Sequence, residues 1–164
     1  MSEIKTYTFT FDTIARLIII PAVFRYNNCI MKVKALIDTG AAASYITEFV
    51  AKSLNIPTTG KIYRVKFAEE SAERQSIKAD MILSSEVFFS DEEFTLLKDE
   101  PRTYDAVIGM NLLTRTDFSI SNFNGHTTFS LRIPSIEETK YGNVSTEKDI
   151  DLLMDKIEDS LLST

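Results

Sequence analysis

Ala35-Leu36-Ile37-Asp38-Thr39-Gly40-Ala41 is the stretch on which the rest of the chain is organised. A run of apolar, strand-forming residues delivers one acid into a tight Thr-Gly-Ala turn, so a carboxylate sits beside buried surface. Such a group is costly unless it has a partner or a task. Asp-Thr-Gly and Asp-Ser-Gly occur nowhere else in the 164 residues, so a second copy of the motif within the chain is not available as that partner.

Working outward from Asp38, the preceding segment Ile30 to Ile37 alternates. Val33, Ala35 and Ile37 face one way, Lys32 and Lys34 the other, which is the period of a half-buried strand. Tyr26-Asn27-Asn28 supplies turn residues before it, and Arg16 to Phe24 reads as its hairpin partner, with Pro21 suited to an edge or strand end. Thr6 to Phe11 alternates as a first strand. Beyond the Asp-Thr-Gly turn, Ser44-Tyr45-Ile46 is a short extended piece. Thr47 is placed to N-cap a two-turn helix with Phe49, Val50 and Leu54 inward, Asn55 accepts a left-handed C-cap, and Pro57 stops continuation.

Further along, Ile62 to Ala68 and Ser76 to Leu83 read as two arms of a hairpin around a charged tip, Glu69 to Arg74. Val87–Phe89 and Phe94–Leu97 read as a strand pair across Ser90-Asp91-Glu92-Glu93. Tyr104 to Gly109 is a buried strand ending at glycine, and Asn111 to Thr114 a helical turn. Asn124-Gly125 is a strong two-residue hairpin signal, and pairing outward from it sets Ile120 opposite Phe129 and Phe118 opposite Leu131. Tyr141 to Ser145 is linker-like. Thr146, with Asp149 three residues on, opens an amphipathic helix carrying Ile150, Leu153, Met154, Ile157 and Leu161. The pattern is mainly β, with one short internal helix and one at the C-terminus.

Composition narrows the function classes. Hydrophobic residues make up 44% of the chain, enough to build a core without metal or disulfide staples. Cys29 is the single cysteine, so no internal disulfide forms and nothing points to an oxidising compartment; a cytoplasmic location is the expectation. The longest apolar run, Leu17 to Phe24, is broken by Pro21 and too short for a membrane span. The formal charge of −6 is concentrated after residue 135, where eight acids (Glu137, Glu138, Glu147, Asp149, Asp151, Asp155, Glu158, Asp159) face three lysines (Lys140, Lys148, Lys156). A basic face for nucleic acid is therefore not expected. His126 stands alone without a cysteine cluster and reads as a surface residue, not a metal ligand; Cys29, with no histidine near it in sequence, reads as a buried or bystander thiol. No metal or cofactor is expected.

An Asp-(Ser/Thr)-Gly triplet by itself is weak, arising by chance in roughly one chain of this length in twenty. Its context strengthens it: the triplet ends a buried strand, and Val107-Ile108-Gly109-Met110-Asn111-Leu112-Leu113 follows about seventy residues later. Together with Leu36-Ile37-Asp38-Thr39-Gly40-Ala41, this element resembles the two signatures of the retropepsin-like aspartic proteases, with the likeness spanning roughly Arg16 to Arg132.

The resemblance implies a closed-barrel-like retropepsin (acid protease) fold over 1–135, followed by an acidic linker and amphipathic helix over 136–164 whose apolar stripe packs on its own domain or on a partner subunit. It implies a homodimeric aspartic endopeptidase acting on a peptide or protein substrate, with Asp38 of each subunit in one shared dyad. Thr39 would brace the two turns across the two-fold axis, and Gly40 would leave room for the substrate backbone. Leu36, Ala41 and Val107 match substrate-pocket positions. The hairpin centred on Glu69 to Arg74 corresponds to the flap that covers substrate, which makes Glu69, Glu70 and Ser71 substrate-binding candidates, while by residue type Glu69, Glu70, Glu73 and Arg74 read as solvated loop charges.

This chain departs from the family pattern at three places. Ala42 stands where viral members carry an acid, and Met110 where they carry the arginine that pairs with it; their joint loss suggests a cellular branch. The flap also lacks the usual glycines, none occurring between Gly60 and Gly109. That absence motivates an alternative, a catalytically weak or inactive dimeric binding or assembly module on the same fold. A stable monomer with an unpaired Asp38 is a third possibility.

Overall fold

The structure, a computed structural model, describes residues 3–67, 70–140 and 146–162. Strands β2 (Ile19–Tyr26) and β3 (Cys29–Ile37) form the expected hairpin, closing Tyr26 against Cys29 over Asn27-Asn28. Asn27 takes the left-handed conformation that asparagine tolerates, with φ of 52°. Val33, Ala35 and Ile37 are buried while Lys32 and Lys34 are exposed, as the alternation requires. β2 begins at Ile19 instead of Arg16, because Arg16 and Leu17 lie in a bend and Leu17 is exposed. Pro21 lies opposite Lys34, whose own N–H and carbonyl turn away to the Asp105 carboxylate and amide at 2.8 Å each, so the missing proline N–H costs no ladder bond.

After β4 (Tyr45–Thr47) comes α1 (Glu48–Ser53), capped by Thr47, whose Oγ1 accepts the Val50 N–H at 3.5 Å. Val50, Ala51 and Leu54 make its buried stripe, and Asn55 adopts φ of 52° after it. Phe49, expected inward, points to solvent: it is one step off that stripe.

β5 (Thr58–Phe67) and β6 (Glu70–Ile82) form a long projecting hairpin in which Phe67 pairs with Glu70. Residues 68–69 lie outside the described residues, and Ser71 to Arg74, expected within a charged tip, are strand, with Arg74 opposite Tyr63. β7 (Phe88–Leu97) is one strand, not the two expected across Ser90–Glu93. The polar tetrapeptide is accommodated by a bulge: the register with β6 shifts between Ala79 and Met81, and Asp91 takes φ of 53°.

β8 (Ala106–Ile108) and α2 (Met110–Leu113) follow, then β9 (Asp117–Ser121) and β10 (Thr128–Ile133). Ile120 pairs with Phe129 and Phe118 with Leu131, as read from the sequence. The connection is longer than a two-residue turn: Phe123–Gly125 is a short 3-10 turn, with Asn124 and Gly125 both at positive φ. β10 also pairs with β1 (Lys5–Thr10), giving a three-stranded sheet in the order β1-β10-β9.

The second sheet runs β2-β3-β8-β4-β7-β6-β5, and β2 pairs in addition with β6. Six strands thus close into a barrel, which leaves β5 outside as the free arm of the hairpin. Phe24 and Phe94 meet edge to face inside it with centroids 4.9 Å apart, among fully buried Ile20, Ile46, Ile77, Met81 and Ile108. The mainly β, closed-barrel architecture agrees with the sequence reading.

The C-terminal helix, α3 (Glu147–Leu162), opens with a reciprocal cap in which Thr146 N–H donates to Asp149 Oδ2 at 2.7 Å and Asp149 N–H to Thr146 Oγ1 at 3.3 Å. Of the expected stripe, Ile150, Leu153, Met154 and Ile157 are about half exposed, while the Leu161 side chain lies outside the described residues. The expected linker 141–145 lies outside the described residues. No described helix is long and apolar enough to cross a membrane.

Candidate active site

Strands β3 and β8 run parallel, with Ile37 beside Ile108, so their C-terminal ends release two turns side by side. The turns are then bonded to each other. Asp38 N–H donates to the Ile108 carbonyl at 3.0 Å, Met110 N–H to the Ala41 carbonyl at 2.8 Å, and Asn111 N–H to the Ala42 carbonyl at 3.2 Å. Within the first turn, Gly40 N–H donates to Asp38 Oδ1 at 2.9 Å and Ala41 N–H to the Asp38 carbonyl at 3.2 Å, which fixes the carboxylate by its own backbone.

Two small residues make this joint possible. A Cβ on Gly109 would lie 2.1 Å from the Ala43 carbonyl oxygen and 2.8 Å from that of Ala41. Gly109 has ordinary extended backbone, so close approach and not conformation requires glycine there. Ser44, fully buried, accepts the Gly109 N–H at 3.0 Å and donates to Asn111 Oδ1 at 2.7 Å. A buried hydroxyl using both functions in this way is a brace, since without it the buried Gly109 N–H would be left unsatisfied.

Asp38 lies, half-buried, in a groove of about 1130 Å³ between this joint and the β5–β6 hairpin. Gly40, Ala41, Tyr45 and Val107 line its floor; Tyr63, Val65, Ala72 and Arg74 line the hairpin side. Burial, and secondarily the Asp38 charge, push the Tyr45 hydroxyl above the usual phenol range. Glu93 anchors the base of the hairpin by accepting from Ser76 Oγ at 2.6 Å, Tyr63 Oη at 2.9 Å and Lys61 Nζ at 2.9 Å. Those donors, Ser76 foremost, hold its carboxyl down to about 2. The other groove acid, Glu100, pairs with Arg102 at 3.2 Å.

Of the residues singled out from sequence, Asp38, Gly40, Ala41 and Val107 come together in the groove. Thr39 is exposed beside it, and Leu36, half-buried between Ile19 and Val107 in the sheet, is not among the groove-lining residues. Ser71 is exposed on β6 opposite Lys66 and also does not line it. Glu69 and the Glu70 side chain lie outside the described residues. Tyr45, Tyr63, Arg74 and Glu93 were missed; strand alternation placing Ala72 and Arg74 on one face was the available signal for Arg74. Cys29 is exposed, not buried. Among the described residues, no three of His, Cys, Asp or Glu gather as a metal-binding group.

Comparison with known proteins bears on this geometry. The family described as "gag-polyprotein putative aspartyl protease" matches residues 24–115, more than half of the chain and inclusive of both bonded turns. Among solved structures, the fold is similar to a retropepsin-like aspartic protease from Rickettsia conorii, at 20% identity and a TM-score of 0.54, covering 83% of this chain and 98% of that one. The retroviral protease-like domain of Ddi1 from Leishmania major is also matched, at 19% identity and a TM-score of 0.41, over 68% and 93% of the two chains. No curated protein matches by sequence. The matched family model, which spans both the Asp38 and the Gly109 turns, shows that the chain belongs to the retropepsin-like, gag-type aspartyl protease family.

Proposed function

We propose that the protein is a homodimeric aspartic endopeptidase in which Asp38 of two copies forms one catalytic dyad. The observation that carries this reading is the half-site itself. A carboxylate is held on a doubly bonded turn in a long groove, and the other groove acids are already engaged, Glu93 by three donors and Glu100 by Arg102. A second copy of Asp38, related by a two-fold axis, supplies the missing partner.

Two adjacent carboxylates share one proton, because both cannot ionise cheaply. The ionised Asp38 takes a proton from water as the water oxygen bonds to the scissile carbonyl carbon, and the protonated Asp38 gives its proton to the carbonyl oxygen. The resulting gem-diol collapses: one carboxyl protonates the amide nitrogen, the C–N bond breaks, and a hydroxyl proton returns to the dyad. A carboxylic acid and an amine leave, and the dyad again holds one proton. Gly40 and Ala41 leave space for an extended substrate backbone, Thr39 braces the turns across the axis, and the β5–β6 hairpin excludes water.

The test is a diverse peptide pool incubated across pH 3 to 8 with wild type and Asp38→Asn. Removing a general acid–base group is expected to lower turnover by about 10²–10⁴-fold. Equal cleavage by both proteins, or none by either, sinks the protease reading and favours a binding or assembly module.

A further inference from the structure

Arg74 sits on the groove face of the hairpin, opposite Tyr63 and two residues from Ala72. Its Nε–H is shielded from solvent and has no hydrogen-bond partner among the described residues. Among the described residues its one bond is from Nη1 to the neighbouring Glu73 carbonyl at 3.2 Å. No ion pair involves it among the described residues, although Glu93 lines the same groove. Glu93 is already engaged by Ser76, Tyr63 and Lys61 and makes no hydrogen bond with it among the described residues. A guanidinium half withdrawn from water with an idle donor is an expensive arrangement for a protein to keep. Its planar fork suits a carboxylate brought in by a ligand. The surroundings favour an anion as well: Lys98 lines the groove without an ion pair among the described residues, in a chain whose net charge is −6.

We infer that Arg74 is a specificity-determining residue that receives an acidic side chain of the substrate, within a few residues of the bond to be cleaved. This rests on reading the groove as the peptide site. The acidic residue would lie under the hairpin, its carboxylate accepting from Nε–H and an Nη–H of Arg74 while Tyr63 and Val65 cover it. An acidic substrate residue thereby satisfies the donor that the free protein leaves idle.

The experiment measures binding and cleavage separately. Octapeptides of Ala, Val and Leu, with one position scanned along the chain as Glu, Gln or Lys, are titrated into the Asp38→Asn protein by fluorescence anisotropy. The same peptides are assayed for cleavage by wild type. The expected result is a preference for Glu over Gln of about tenfold at one position, the worth of a charge-assisted hydrogen bond. Adding Arg74→Gln should remove that preference without weakening the Gln peptide, and Arg74→Glu should turn it toward Lys, an outcome misfolding cannot mimic. Equal binding of Glu and Gln peptides at every position, or a Glu preference that survives Arg74→Gln, would overturn the assignment. Binding with the Glu preference but no cleavage by wild type would support it while rejecting the protease reading.

Discussion

Ser44 and Asn111, 67 residues apart in sequence, are joined by a 2.7 Å hydrogen bond from a buried hydroxyl that also accepts the Gly109 N–H. The two signature motifs are thus parts of one polar joint behind Asp38. Ser44→Ala leaves the Gly109 N–H unsatisfied in a buried place and should cost about 1–3 kcal/mol. Urea unfolding followed by circular dichroism measures it; an unchanged midpoint would show that the joint is not held by this hydroxyl.

Gly109→Ala tests the close approach of the turns. The new methyl would stand 2.1 Å from a backbone oxygen, which no side-chain rotation relieves. The loss should reach or exceed the upper part of the usual overpacking range, about 3 kcal/mol. Thermal melts compare it with Gly60→Ala, where a Cβ meets nothing within 4 Å and the cost comes only from a φ of 82°. A milder effect at Gly109 than at Gly60 would contradict the packing argument.

Acid should loosen the base of the hairpin. Glu93 titrates near 2 in the folded protein, against an ordinary carboxyl value near 4.5, so folding holds its proton less tightly than unfolding does. Its contribution is complete above about pH 4.5 and is lost as the pH falls toward 2. Asp117, held below the usual carboxylate range chiefly by the Ser135 hydroxyl, acts in the same direction. Melting temperatures of wild type and Glu93→Gln, taken from pH 6 to 2.5, should converge as the pH drops. Parallel curves would remove Glu93 from the account.

The terminal helix should be dispensable for folding of the barrel. The described side chains of α3 are exposed, whereas Ile136 and Glu137 donate their backbone N–H groups to Asp117 at 2.9 and 3.4 Å. A chain ending at Lys140 keeps those bonds and should melt as the full chain does; a clear drop would show that 141–164 support the core.

The parts legible in the sequence were those governed by short-range rules. Alternation placed Val33, Ala35 and Ile37, Thr47 and Thr146 announced their helices, and Asn124-Gly125 set the β9–β10 register even though the connection proved longer. Barrel closure was not readable from periodicity, because the β2–β6 pairing joins segments far apart and came only with the family resemblance. Polar composition misled where it met tertiary structure. Ser90 to Glu93 looks like a turn but is a bulged strand, since Glu92 and Glu93 find Arg115, Lys61, Tyr63 and Ser76. Arg74 likewise looks like a solvated charge until the pairing with Tyr63 turns it into the groove.

The central claim is that Asp38 acts only in partnership with its copy. Wild-type protein should be mixed with a rising excess of Asp38→Asn, allowed to exchange subunits, and assayed on a peptide that wild type cleaves. A shared dyad predicts that activity falls as the excess grows, because mixed dimers hold a single aspartate. Activity that stays constant at every ratio, although sedimentation shows mixed dimers, would mean that each chain works alone and would contradict the account.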